Sequence, residues 1–267
     1  MTSPRSWFDQ GPMRGRYERG SIITTDDGTE WEIVGRLKQD DLQTEGKLVT
    51  RPSYAALKLH CMKANVDPSE RSASESFARV YVQVPYLGTE FDDAQTRAAQ
   101  ADPAFQPDEL EAYRTLSDHT VVSTFTPKFL GSKVSVQELS GFVPGGFLIL
   151  VVWERVPGIP LGDTTGQATG YWTQSKRERK KIREAFKETF KEISSTVGIW
   201  PRPTSPHHLV WNFLTETLFW VGFRQFDRKK DIVWSETWLP AYDLVKTPPG
   251  DKWARMDWDG DTTCWIG

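Results

Sequence analysis

Across residues 174–197, Ile182, Phe186, Phe190 and Ile193 recur at intervals of 4, 4 and 3, the period at which apolar side chains share one face of a helix. The chain before residue 154 is different. Short runs rich in Val, Ile, Tyr, Phe and Trp are broken by turn-forming residues, and such runs read as strands. A chain that builds strands first and one long helix afterwards reads as the α+β class.

The strand signals begin at residues 21–36, where Ile22-Ile23, an Asp26-Asp27-Gly28 turn and Trp31-Glu32-Ile33-Val34 predict a hairpin. Residues 54–61 and 80–84 predict further strands. Residues 89–101 and 107–116 predict helices, the second opening on Pro107-Asp108-Glu109 and apolar at Leu110, Tyr113 and Leu116. Strand-like stretches follow at 120–129, 133–139 and 146–153. Residues 159–170 hold four Gly or Pro and predict a flexible joint. After the long helix, residues 200–206 carry three prolines and predict an irregular loop, followed by short strands at 209–213 and 217–223. The expected organisation is therefore a loose lead-in over residues 1–20, a sheet-plus-helix part over 21–158, and a shortened helical part over 159–267 with a Trp-rich tail.

Twelve Trp among 267 residues place the chain outside the disordered class, and most of them are expected to be core. The longest apolar run, residues 147–153, is far short of the roughly 20 residues that span a membrane. With no signal-peptide pattern at the N-terminus, a cytoplasmic protein without a membrane partner is expected. Cys61 and Cys264 are too few for a disulfide framework or zinc cluster and read as free thiols. The tail Asp257-Trp258-Asp259-Gly260-Asp261 lacks calcium-loop spacing and reads as a surface turn. No metal or cofactor is expected.

Three features carry chemistry. Lys58 stands in the apolar run 54–61, and an unpaired ammonium there would lose its solvation or its proton, so a partner is required. His207 and His208 are candidates for acid–base work near neutral pH, though adjacent side chains on an extended segment point to opposite faces. In the long helix, Lys176, Lys180, Arg183, Lys187 and Lys191 fall in one stripe about 22 Å long. Over residues 176–191, eight basic residues stand against three acidic ones in a chain of net charge −3. The stripe is either a solvated face or a surface for an anionic partner such as RNA.

The order of elements, and several motifs, resemble the protein-kinase-like fold. Ala55-Ala56-Leu57-Lys58 resembles the strand motif whose Lys pairs with a helix Glu. Residues 109–116, Glu-Leu-Glu-Ala-Tyr-Arg-Thr-Leu, resemble the Glu helix of small fungal kinase-like and aminoglycoside-phosphotransferase-like proteins, which makes Glu109 the implied partner of Lys58. Residues 147–158 resemble that group's strand and hinge. Residues 198–211 resemble its catalytic loop, with Pro203 where the catalytic Asp stands and His208 where the metal-binding Asn stands. Gly222 falls where a metal-binding Asp ends a strand. The resemblance implies a two-lobed molecule with an antiparallel-sheet N-lobe and a shortened C-lobe.

Kinase phosphoryl transfer depends on metal ions and on an Asp that orients the nucleophile. Their replacement implies that the scaffold serves another purpose. One expectation is an enzyme that draws aminoacyl groups from tRNA and joins them, as fungal cyclodipeptide synthases do. In that case the stripe binds tRNA, and Lys58, Glu109, His207 and His208 serve a small-molecule cleft. The other expectation is a non-catalytic pseudokinase that holds a ligand or partner.

Overall fold

The computed structural model describes residues 6–46, 51–65, 75–250, 252–255 and 258–267. Its strands are β1 (Ile22–Thr24), β2 (Glu30–Leu42), β3 (Tyr54–Lys63), β4 (Glu75–Gln83), β5 (Phe129–Val136), β6 (Phe147–Glu154), β7 (Ile159–Pro160), β8 (Ile199–Pro201), β9 (Leu209–Asn212), β10 (Thr217–Trp220) and β11 (Phe226–Arg228). The helices are α1 (Ala94–Ala98), α2 (Asp108–Asp118), α3 (Thr169–Trp172), α4 (Lys176–Ser195) and α5 (Trp238–Ala241). The chain is thus mixed α and β with antiparallel sheets. It divides into two compact units, one of residues 1–110 and 129–155 and the other of residues 111–128 and 156–267.

The first unit is a six-stranded sheet in the order β1-β2-β3-β4-β6-β5. Its antiparallel register sets Lys58 opposite Arg79, and Phe77 opposite Trp153. Because side chains alternate across a sheet, Leu57, Leu59, Cys61, Val80, Val82 and Val152 share one buried face. The sheet curls until the turn between its first two strands reaches β5. The amide of Asp26, in the β1–β2 turn, donates to Ser132 O on β5 (2.8 Å), and Asp26 Oδ2 accepts from Val134 N (3.3 Å). Gly131 makes this approach possible, since a Cβ there would stand 3.0 Å from Thr25.

The lead-in expected to be loose is part of this core. Phe8 and Met13 are each 1% exposed, and Tyr17 packs with them against the sheet. Their separation by polar residues conceals the pattern, because two short 3-10 turns, Trp7–Asp9 and Gly11–Met13, rather than a regular helix, bring them together.

In the second unit, α4 lays Ile182, Phe186, Phe190 and Ile193 into the core. Phe190 lies within 5.3 Å, centroid to centroid, of Trp200, Trp234 and Trp238, and Phe186 stacks on Trp220 at 5.2 Å. Trp200, Trp211 and Trp220 are buried, as expected, whereas Trp234, Trp238 and Trp253 are only half-buried, which corrects the expectation that most of these tryptophans are core. Trp258 and Trp265 stack on each other at 5.2 Å but are only half-buried.

Several local expectations are corrected. Residues 120–129 form a 3-10 turn at Val122–Thr124 instead of a strand. Thr124 Oγ1 donates to Val121 O and Thr126 Oγ1 to Val122 O, a local alternative to ladder bonding. The helix expected over 89–101 contracts to α1, which starts where Asp93 caps Gln95 and Thr96. The supposed joint 159–170 contains β7 and a turn organised by Asp163, which accepts from Thr165 and Gln167 amides. Residues 199–201 leave the expected loop to pair with β11. Both cysteines are free thiols, Cys61 buried and Cys264 exposed. Asp259 and Asp261 accept from Asp261 and Thr263 amides, which is the expected turn; Asp257 lies outside the described residues. No helix among the described residues is long and apolar enough to cross a membrane.

Candidate functional site

On the sheet face opposite the core of the first unit, β3 and β4 place Lys58, Phe77, Arg79 and Tyr81 side by side, and β6 adds Trp153. The Lys58 ammonium lies 4.1 Å from the centroid of the Phe77 ring and 5.9 Å from that of Trp153, while the Arg79 guanidinium lies 5.3 Å from Trp153. Aromatic faces attract cations, but they replace hydration only in part. Burial therefore pulls the Lys58 pKa down to about 8; the Arg79 charge adds to that shift and Glu109 opposes it.

Glu109 is 1% exposed and is held by Arg79 Nη1 and by the Tyr81 hydroxyl (2.9 Å). The pairing of Lys58 with Glu109 is thus corrected: the carboxylate goes to Arg79, directly across the ladder from Lys58. A delocalised, weakly hydrated guanidinium costs less to bury beside a carboxylate than an ammonium does. Lys58 makes no ion pair among the described residues. Arg79 was missed because it precedes the apolar run that marks β4. The alternation of Phe77, Arg79 and Tyr81 with Ala78, Val80 and Val82 was its signal.

Further along this face, His60 Nε2 lies 3.7 Å from Glu75, which also pairs with Arg155. Burial, and then the Arg155 charge, lower the His60 pKa. Sequence reading had not singled out His60.

The two histidines belong to the second unit. Pro206–His208 is a 3-10 turn, so the rings do not diverge as on an extended strand but approach to 3.9 Å. His207 Nδ1 is 2.7 Å from Ser205 Oγ. His208 is 4% exposed, and burial, followed by the neighbouring His207, pushes its pKa down to about 4. Its ring lies against Gly222. A Cβ on Gly222, whose φ is +83°, would stand 2.3 Å from His208 Cδ2. The ring thus occupies the space that a side chain at position 222 would need. Among the described residues no group of three His, Cys, Asp or Glu side chains is arranged to hold a metal ion.

The basic stripe on α4 divides. Arg183 donates to Tyr171 Oη (2.5 Å), and Lys187 forms a partly exposed pair with Glu236 (3.2 Å) beside the Trp234 ring, so both already have partners within the chain. Lys180 lies 3.8 Å from Glu184 on the same helix, and Lys176, Lys180 and Lys191 are exposed.

No family model matches the chain, and no curated protein matches it. Among solved structures the chain is similar to the kinase PK-1 of the Cydia pomonella granulovirus. Identity is 11% and the TM-score 0.37, over 72% of this chain and 53% of that one. The chain thus spans about half the length of the viral kinase.

Proposed function

We propose that the chain has a kinase-like fold that no longer performs metal-assisted phosphoryl transfer, and that it is an enzyme using the Lys58 amine for proton transfer. Lys58 carries this reading. With a pKa near 8, roughly a quarter of the amine is neutral at pH 7.5, so it can accept and return a proton. A general base poised near the working pH is the efficient one. Glu109, neutralised by Arg79, then sets the electrostatics of the face and does not itself move a proton. The packing of His208 against Gly222, at the two positions matched to metal ligands, supports the loss of phosphoryl transfer.

The reaction class that fits is aminolysis of an activated ester. An α-amine attacks an aminoacyl ester carbonyl, a C–N bond forms, and the C–O bond to the carrier breaks. The amine proton passes to Lys58 and from there to the departing alkoxide, so no oxidant or metal is consumed. In bacteria, which supply aminoacyl-tRNA, the wild-type chain is expected to yield a small molecule by mass spectrometry that is missing with Lys58→Met. Identical extracts from folded proteins would sink the enzyme reading in favour of a non-catalytic ligand-holding module.

Lys176, Lys180 and Lys191 favour tRNA as the carrier, since exposed cations on an acidic chain match phosphates. The triple change of these residues to Glu is expected to weaken RNA binding by at least about tenfold and to flatten its salt dependence. RNA affinity unchanged in that variant removes the tRNA carrier without touching Lys58.

A further inference from the structure

The curl of the six-stranded sheet leaves a gap between its edge strands. The β1–β2 turn reaches β5 through Asp26, but beyond that contact the two edge strands separate around a cavity of about 520 Å³. The cavity lies on the core face of the sheet, away from Lys58, and its size falls within the roughly 300–1,000 Å³ of small-molecule sites. Its floor is apolar, built from Met13, Ile23, Leu148 and Leu150. Its mouth is charged: Arg16 and Lys133 stand there against the single carboxylate of Glu138. Both cations are exposed, and neither makes an ion pair among the described residues.

Tyr17 points to a ligand. It lines the cavity and is only 8% exposed, yet its hydroxyl makes no hydrogen bond among the described residues. The ring is buried, but the hydroxyl oxygen is not among the buried polar atoms that lack a partner, so the tip of the side chain stays within reach of solvent and of a ligand, an amphipathic placement usual for Tyr. Burial also pushes the Tyr17 phenol above its ordinary pKa, with Arg16 opposing, so at neutral pH the hydroxyl is a donor.

From this geometry we infer that the cavity is a binding site for an apolar monocarboxylate. The hydrocarbon rests on Met13, Ile23, Leu148 and Leu150, and the carboxylate accepts from the Tyr17 hydroxyl between Arg16 and Lys133. A purely apolar ligand would leave Tyr17 unpaired, and a cationic one would meet two like charges. The site is separate from the Lys58 face and independent of any reaction there.

Isothermal titration of the full chain with decanoate, and with decylammonium as the charge-reversed probe, tests this. Decanoate is expected to saturate one site below about 1 mM, and decylammonium is not. Lys133→Glu, at an exposed position, is expected to weaken decanoate at least about fivefold. Tyr17→Phe should weaken it by about fivefold, the worth of one hydrogen bond. Ser135→Trp, which fills the cavity from β5, should abolish binding, with melting temperature reporting that each variant is folded. Absence of saturation by decanoate, equal binding of decylammonium, or undiminished binding in Lys133→Glu would overturn the assignment.

Discussion

Lys58 is kept where it weakens the fold. Its folded pKa near 8 lies below the unfolded value of 10.5, so between those values the unfolded chain binds more protons and stability rises with pH. Below pH 8 the full penalty applies, about 3 kcal/mol for a shift of this size. Lys58→Met should therefore raise the urea midpoint at pH 7 and remove the gain in stability between pH 8 and 10.5; a variant less stable at pH 7 would contradict this account. Glu109→Gln should do the opposite. It removes the Glu109 carboxylate from the buried Arg79 guanidinium, a loss of up to about 3–5 kcal/mol by analogy with broken buried pairs. It also removes the charge that holds the Lys58 pKa up, so the amine, followed by lysine side-chain NMR, should titrate below 8. That a partner was needed near Lys58 could be read from the sequence. Which cation took Glu109 could not, because strand register decides it and Arg79 lies 21 positions from Lys58.

The element most instructive on its own terms is the Pro206–His208 turn with the strand end at Gly222. His208 has a folded pKa of about 4 against 6.5 unfolded, so its contribution is intact above pH 6.5 and is lost as pH falls toward 4. The loss approaches about 3 kcal/mol, and acid unfolding of His208→Asn should lack that component. Gly222→Asp combines a left-handed φ with the collision against the ring, and should destabilise by more than about 2 kcal/mol. Combined with His208→Asn, the steric part should be recovered, giving a coupling of about 1 kcal/mol or more in a double-mutant cycle; strict additivity would show that the ring and position 222 do not compete. The resemblance read in the sequence matched His208 and Gly222 to motif positions without saying that they touch. Only the pairing of β9 with β10 and the bond from Val221 N to His208 O (2.8 Å) made them neighbours. The α4 stripe shows the same limit: helical period put Arg183 and Lys187 in line with Lys176, whereas the fold gave each a partner, Tyr171 and Glu236, that the period does not reveal.

At the scale of the whole molecule, the lead-in is part of the cooperative core. Phe8→Ala should cost about 3–5 kcal/mol, and a chain begun at residue 21 should expose the sheet to 8-anilinonaphthalene-1-sulfonate; unchanged stability in both would return these residues to the status of a loose tail. Local periodicity was enough to determine most strands, the α4 helix and the α+β class, because each of these needs only a face of fixed period to be covered. Tertiary structure alone decided the closure of the sheet through Asp26 and β5, the covering of its core by Phe8 and Met13, and the exchange of Lys58 for Arg79 beside Glu109. Those outcomes depend on which distant surfaces meet and on how cheaply each charge gives up water there, and neither quantity is written in any short stretch of sequence.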